Sequence, residues 1–115
     1  SRLPPPAVKS DELFNLMALY FTTGEAEAHV KKLKSVYCVA IIPKKGAAPV
    51  RQWTIDMKNG IGAVKYGAPE KADATLTMTD EDFLAIQNGK LNAQTAFMTG
   101  KLKIKGSIAK ATAFT

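Results

Sequence analysis

Apolar residues recur at helical spacing from Leu13 to Phe21, at Leu13, Phe14, Leu16, Met17, Tyr20 and Phe21. This spacing predicts an amphipathic helix. Ser10 stands where an N-cap would, and Asp11 and Glu12 fall in the first turn, where the helix dipole favours negative charge. The following TGEAEAHVKKL predicts a second helix, with Thr22 and Glu25 spaced as a capping box. At SVYCVAII both alternating faces are apolar, as in a strand lying inside a sheet. VRQWTIDM then alternates strictly, Trp53, Ile55 and Met57 against Gln52, Thr54 and Asp56. An Asn-Gly pair at 59–60 predicts a hairpin into IGAVKYG. In ATLTM, Ala74, Leu76 and Met78 share one face.

The second half mixes short helices with one more strand. TDEDFLAIQNG predicts a helix capped by Thr79 and ended by Gly89, and NAQTAFMTG one ended by Gly100. KLKIKG alternates as a strand, and SIAKATAF opens a helix at Ser107. The order is helix, helix, three or four strands, two helices, strand, helix. Hairpin links predict a largely antiparallel sheet, with helices on one face, an α+β fold. The late strand, entering after two helices, can pair in either sense. Residues 1–9, SRLPPPAVK, are rich in proline and predict a linker or disordered lead-in; residues 10–115 form the domain.

Composition changes this picture little. The chain has 115 residues, 46% hydrophobic and 23% charged, with a formal net charge of +6, which bounds it to one domain able to bury a core. No apolar run reaches the length of a membrane span. The single cysteine, Cys38, lies in an apolar run and is expected as a packed thiol in a reducing compartment. Distributed positive charge favours anionic partners without choosing among them.

Catalytic chemistry finds few footholds. One His and one Cys cannot assemble a Cys/His zinc set. His29 lies beside the stripe of Ala26, Val30 and Leu33, with no acid or nucleophile at a telling spacing. The glycines of NGIGAVKYG follow a turn into a strand and do not open a helix, so no phosphate cradle is expected. Asp80, Glu81 and Asp82 suit the first turn of a helix, and a metal would need ligands from elsewhere. No catalytic residue, metal site or cofactor is expected.

KLKIKGS allows two readings: an edge strand whose lysines discourage strand pairing, or a cationic face turned toward anionic lipid. Nucleic acid is not expected, because the strand has no interleaved aromatics on which bases could stack. The short helices carry bulky apolar groups, among them Phe14, Phe83, Ile86, Phe97, Met98, Ile108 and Phe114. Glycine-ended short helices and adaptable methionines leave room for a cavity.

WTIDMKNGIGAV and KADATLTMTDEDFLAIQNGKLNAQTAFMTGKLKIKGS resemble the signature blocks of the sterol carrier protein 2 family, the nonspecific lipid-transfer domain, from about Ser10 to Thr115. The resemblance implies a sheet of about five strands covered on one face by about five short helices, with a hydrophobic tunnel between them. It implies non-catalytic binding and transfer of fatty acids, fatty acyl-CoAs, sterols or phospholipids, often in the peroxisome. The alternative is a ligand-free structural or targeting domain of a larger lipid-metabolising enzyme. Carried onto this chain, the tunnel lining is Trp53, Phe83, Ile86, Leu91, Gln94, Phe97, Met98, Leu102, Ile104 and Ile108. Gln94 is the candidate to hydrogen-bond a ligand oxygen or, equally, to make a local helix contact. Lys101, Lys103, Lys105 and Lys110 would hold the CoA end, or hold the domain at an anionic membrane. Two departures stand out. Ala93 replaces a usual proline, and relatives continue past Phe114 into the end of a tunnel-closing helix and often a tail read by a peroxisomal import receptor, a tail missing from this chain.

Overall fold

The computed structural model describes residues 3–5 and 7–114. Five strands form one sheet: β1 (Ser35–Ile42), β2 (Arg51–Met57), β3 (Ala63–Tyr66), β4 (Ala74–Thr79) and β5 (Lys103–Gly106). Their order is β3-β2-β1-β4-β5, which puts the doubly apolar SVYCVAII segment in the middle, as its pattern predicts. Pairing is antiparallel except between β1 and β4, which run parallel. β5 joins β4 antiparallel, which settles the open sense of the late strand.

Register divides the sheet into two unlike faces. Val39 stands opposite Trp53 and Leu76, Tyr37 opposite Ile55 and Ala74, and Leu76 opposite Ile104, so these residues share one face. The other face pairs Thr54 with Cys38 and Lys65, Thr75 with Lys105, and Thr77 with Lys103. The apolar face is buried, and it belongs to the same cluster as Phe14, Phe21, Val30, Phe83, Ala96 and Ala111 from the five helices. These are α1 (Ser10–Phe21), α2 (Glu27–Leu33), α3 (Asp80–Gln87), α4 (Ala93–Met98) and α5 (Ile108–Phe114).

α1 is seated by contacts distant in sequence. Phe14 lies stacked between Trp53 and Phe83, with ring centroids 4.7 and 4.8 Å away. Asp11 makes a two-pronged pair with Arg51 of β2, at 2.8 and 3.1 Å. Ser10 is not the N-cap that its position predicts: it is the first helical residue, and the Asp80 carboxylate accepts from the Lys9 and Ser10 N–H groups at 2.9 and 3.2 Å. The first residue of α3 thus caps α1, a longer-range solution than any sequence pattern shows.

Local expectations fail in two other places. The predicted box of Thr22 and Glu25 does not form, because Thr22 donates to the Leu19 carbonyl and Glu25 N–H donates to Thr23. α2 therefore starts at Glu27, later than TGEAEAHVKKL suggests. The Asn-Gly pair does join a hairpin, β2 to β3, through a loop over 58–62 in which Asp56 gathers the Lys58 and Asn59 N–H groups and the Asn59 amide. The lead-in is more than a linker: Leu3 packs against the core and the Pro4 carbonyl accepts from Arg51 at 2.6 Å. Residues 1, 2, 6 and 115 lie outside the described residues. No helix among the described residues is long and apolar enough to cross a membrane.

Candidate functional site

A cavity of about 930 Å³, open to solvent, lies between the buried sheet face and the second half of the chain. Its floor is Val39, Ile55 and Ile104 of the sheet, with Leu102 just before β5. α3 contributes Phe83, Ile86 and Gln87; α1 contributes Met17. The segment from Gly89 to α4 adds Leu91, Asn92, Ala93, Gln94 and Phe97, and α5 adds Ile108, Thr112 and Phe114. No charged side chain lines it. A shallower groove of about 650 Å³ runs between the lead-in and the outer side of α1, where Leu16 and Leu19 are exposed. Of the sheet residues only Arg51 is among its lining.

Short-range chemistry sets the cavity walls. Thr79 accepts from the Asp82 N–H and starts α3 where sequence predicts. Asn92 accepts from the Gln94 and Thr95 N–H groups at 2.9 and 3.1 Å, which opens α4 as one short turn-and-a-half. Gly100, at φ +80°, ends it in the left-handed conformation that glycine adopts without strain. The Lys101 and Leu102 N–H groups then donate back to the Ala96 carbonyl at 2.8 and 3.0 Å, aiming the chain into β5. Ile104 then enters the cavity while Lys103 and Lys105 take the other sheet face, as period-two alternation requires.

α5 is fastened at both ends of its inner face. Phe114 stacks on Tyr37 at 4.3 Å, and the Tyr37 hydroxyl donates to the Lys110 carbonyl at 2.9 Å. Asp73 joins several elements at once. Its carboxylate accepts from the Val36 N–H at 2.8 Å and the Lys110 ammonium at 3.2 Å, and its carbonyl accepts from the Ser107 N–H at 2.9 Å. The Val36 hydrogen bond, followed by Lys110, outweighs burial and holds the Asp73 carboxyl below the usual aspartate range. Gly106, at φ +94°, lies so close that a side-chain carbon there would stand 2.5 Å from the Asp73 carbonyl oxygen.

Of the residues that resemblance assigns to the lining, the structure brings Phe83, Ile86, Leu91, Gln94, Phe97, Leu102, Ile104 and Ile108 to the cavity. Trp53 and Met98 stand apart from it. Trp53 shares the sheet face, but Phe14 stacks over its ring and fills the space above. Met98 points outward, 79% exposed, because Ala96 is the α4 residue that faces the core. Of the four lysines, Lys101 follows the turn at Gly100, Lys103 and Lys105 lie on the polar sheet face, and Lys110 pairs with Asp73.

Sequence reasoning missed Met17, Val39, Ile55, Gln87, Gly89, Asn92, Ala93, Thr112 and Phe114 as lining. Val39 and Ile55 were legible only as core. Phe114 carries a signal, being the last bulky residue of the amphipathic closing helix. Asp73 gave none beyond an acidic residue just before a strand.

Reactive groups do not converge at the cavity. Burial pushes the Cys38 thiol up, and Cys38 faces the polar side of the sheet, opposite Thr54. His29 is exposed on α2. Among the described residues no group of three or more His, Cys, Asp or Glu is placed to hold a metal.

Fold and site together define a small-molecule-binding α+β domain: one sheet face and a layer of short helices flank an open cavity lined mostly by apolar side chains and by no charged one. Comparison with known proteins names the class more closely. The profile of the SCP-2 sterol transfer family matches residues 15–115, and the chain belongs to that family. It is 48% identical over 84 residues to peroxisomal multifunctional enzyme A of Dictyostelium discoideum, covering 72% of this chain and 18% of that protein. It is 45% identical over 87 residues to sterol carrier protein 2 of Gallus gallus, covering 76% and 16%. With sterol carrier protein 2 of Arabidopsis thaliana it shares 36% over 109 residues, 94% of this chain and 88% of the relative. The chain thus spans less than a fifth of the first two. Among solved structures, sterol carrier protein 2 of Yarrowia lipolytica in its apo form superposes with a TM-score of 0.82 at 31% identity, over 99% of this chain and 92% of that one. Sterol carrier protein 2 of Aedes aegypti in complex with palmitate superposes with a TM-score of 0.61 at 25% identity, over 93% and 91%.

Proposed function

We propose that this domain binds a lipid in the cavity and carries it between sites without chemical change. The observation behind this reading is the cavity of about 930 Å³ with no charged lining side chain. Its size lies in the range of small-molecule sites. Each methylene moved from water into such a space gains about 0.8 kcal/mol, so a long acyl chain gains on the order of 10 kcal/mol before ordering costs. That force depends on apolar area rather than on shape, which suits a carrier of fatty acids, fatty acyl-CoAs, sterols or phospholipids. The palmitate held by the Aedes aegypti relative supports the same class of ligand.

In this reading the hydrocarbon lies against Phe83, Ile86, Leu102 and Ile104, and a ligand oxygen meets Gln94 or Thr112 nearer the opening. A peroxisomal location follows the name of the Dictyostelium discoideum relative. That relative, of which the match covers 18%, also supports a second reading: a ligand-free domain of a larger enzyme.

Titration with a fluorescent fatty acid tests the first reading. Phe97→Asp places a charge on the cavity wall and is expected to lower affinity at least tenfold, with the far-UV circular dichroism unchanged. Equal binding by the variant and the parent overturns the assignment. Native mass spectrometry separates the two readings, since co-purified lipid supports a carrier and bare protein after gentle handling supports a ligand-free domain.

A further inference from the structure

Two buried side-chain atoms have no hydrogen-bond partner among the described residues: the Trp53 indole Nε1 and the Ser10 hydroxyl oxygen. Their residues are 2% and 0% exposed. Such groups are rare in folded proteins, because each has given up water and gained nothing in return. Both lie beside the cavity. Trp53 belongs to the cross-strand row Ile104, Leu76, Val39, Trp53 and Tyr66 on the buried sheet face. Ile104 and Val39 are cavity floor, so the indole stands one strand, about 4.8 Å, beyond that floor. Phe14 stacks on its ring and on that of Phe83, which lines the cavity. Ser10 lies one turn before Phe14 on the inward side of α1, and Met17 reaches the cavity from the same helix. The opening lies toward β5, where the lining residues Phe97 and Ile108 are exposed.

We propose that the inner end of the cavity receives a hydroxyl at the far end of the lipid tail, which accepts from the Trp53 indole N–H and pairs with the Ser10 hydroxyl. The inference rests on the lipid-carrier reading and adds a ligand class to it: long-chain lipids oxygenated at both ends. The first polar group stays at the opening and the second lies beneath α1. A hydroxyl suits both atoms, since it accepts from the indole and can donate to the serine oxygen. A carboxylate would bring a charge to two neutral partners, and the Arg51 guanidinium, two residues from Trp53, already meets Asp11. A plain hydrocarbon tail leaves both atoms as they are. Because the N–H lies in the plane of the indole, an acceptor meets it at the ring edge, and the stack on Phe14 can stay in place. Met17, long and unbranched, is the side chain best able to give way to the tail.

Parallel titrations with palmitate and ω-hydroxypalmitate test the inference, read by calorimetry and by the indole N–H resonance of the single tryptophan in isotope-labelled protein. The ω-hydroxy acid is expected to bind about fivefold more tightly and to move the indole proton downfield. Palmitate should leave that proton near its ligand-free position. Trp53→Phe keeps an aromatic ring beneath Phe14 and removes the N–H, so the two acids should bind it equally. Ser10→Ala removes a hydroxyl without a partner, so it should unfold no earlier than the parent in urea and keep only part of the preference. Equal affinity of the parent for the two acids overturns the inference and leaves the carrier reading standing. So does a preference that survives in Trp53→Phe, or an indole proton moved as far by palmitate, which would mean that the carboxyl end enters first. An indole proton already downfield without ligand also overturns it, since an internal water would then hold the donor. A protein that binds neither acid overturns the carrier reading and the inference together.

Discussion

Removing the Asp11 carboxylate tests how α1 is held over the cavity. The Arg51 side chain is 1% exposed, and Asp11 meets it through two hydrogen bonds at 2.8 and 3.1 Å. The Asp11 hydrogen bonds, acting against burial, raise the Arg51 pKa above its ordinary value, so the guanidinium stays charged at every accessible pH. In Asp11→Ala that charge remains buried without its counter-ion. Breaking a buried pair from one side costs about 3–5 kcal/mol. The carbonyls of Pro4 and Val50 still accept from the guanidinium, at 2.6 and 2.9 Å, which argues for the lower end, about 3 kcal/mol. For a chain of this size, that loss lowers Tm by roughly 12 °C.

Urea unfolding of Asp11→Ala, Arg51→Met and a double variant, Asp11→Leu with Arg51→Met, forms the assay. The double variant should lie within about 1 kcal/mol of the parent, since apolar residues of similar volume often replace a buried pair at little cost. Asp11→Ala should also weaken fatty-acid binding, because Met17 on the same helix lines the cavity. The reasoning fails if Asp11→Ala unfolds at the parent's urea concentration, or if the double variant is the least stable of the three. The first result would mean that Phe14, stacked between Trp53 and Phe83, seats α1 without help from the ion pair; the second would mean that the pair stabilises more than apolar side chains in its place.

Other outcomes follow from the remaining contacts. Gly106→Ala should cost several kcal/mol in thermal unfolding, because the new methyl meets the Asp73 carbonyl and φ is +94°. Tyr37→Phe keeps the stack on Phe114 and loses only the hydrogen bond to the Lys110 carbonyl, so about 1 kcal/mol should be lost, with faster amide exchange in α5. Asn92→Ala removes the cap of α4 and should lower stability by about 1 kcal/mol. Asp73→Asn should destabilise at neutral pH. Because the folded Asp73 pKa is depressed from 3.8, its contribution is present above that value and fades as pH falls through the folded pKa. The gap between parent and Asp73→Asn in urea should therefore close on acidification below about pH 4.

What could be read from sequence was what local spacing controls. The period of two in VRQWTIDM and ATLTM placed Trp53, Ile55, Leu76 and Met78 on the buried face, and Thr79 and Gly100 marked helix ends as the structure has them. Misreadings arose where a distant group took over a local task. Asp80 displaced Ser10 as the cap of α1, and Arg51 drew the Pro4 carbonyl of the lead-in onto the domain. The lining followed the same division. Most lining residues between 83 and 108, though not Gln87, Gly89, Asn92 or Ala93, were found through the family resemblance, whereas Val39 and Ile55 reach the cavity from β1 and β2, and Met17 from α1, through contacts distant in sequence.

Trp53 and Ile55 sharpen that point, because alternation gives them the same face and packing gives them different surroundings. Phe14 covers the Trp53 ring from α1, so that part of the sheet face is filled by a stack of three aromatics. Ile55, Val39 and Ile104 share the cavity with residues of α4, whose buried residue is Ala96, and of α5, whose buried residue is Ala111. Replacing Ala93, which lines that space, by Phe should fill part of it. Fatty-acid affinity should then fall while Tm holds or rises, since added apolar contact inside an existing void stabilises a core. A variant that binds as tightly as the parent would show that the hydrocarbon lies elsewhere, away from the wall that Ala93 shares with Phe97.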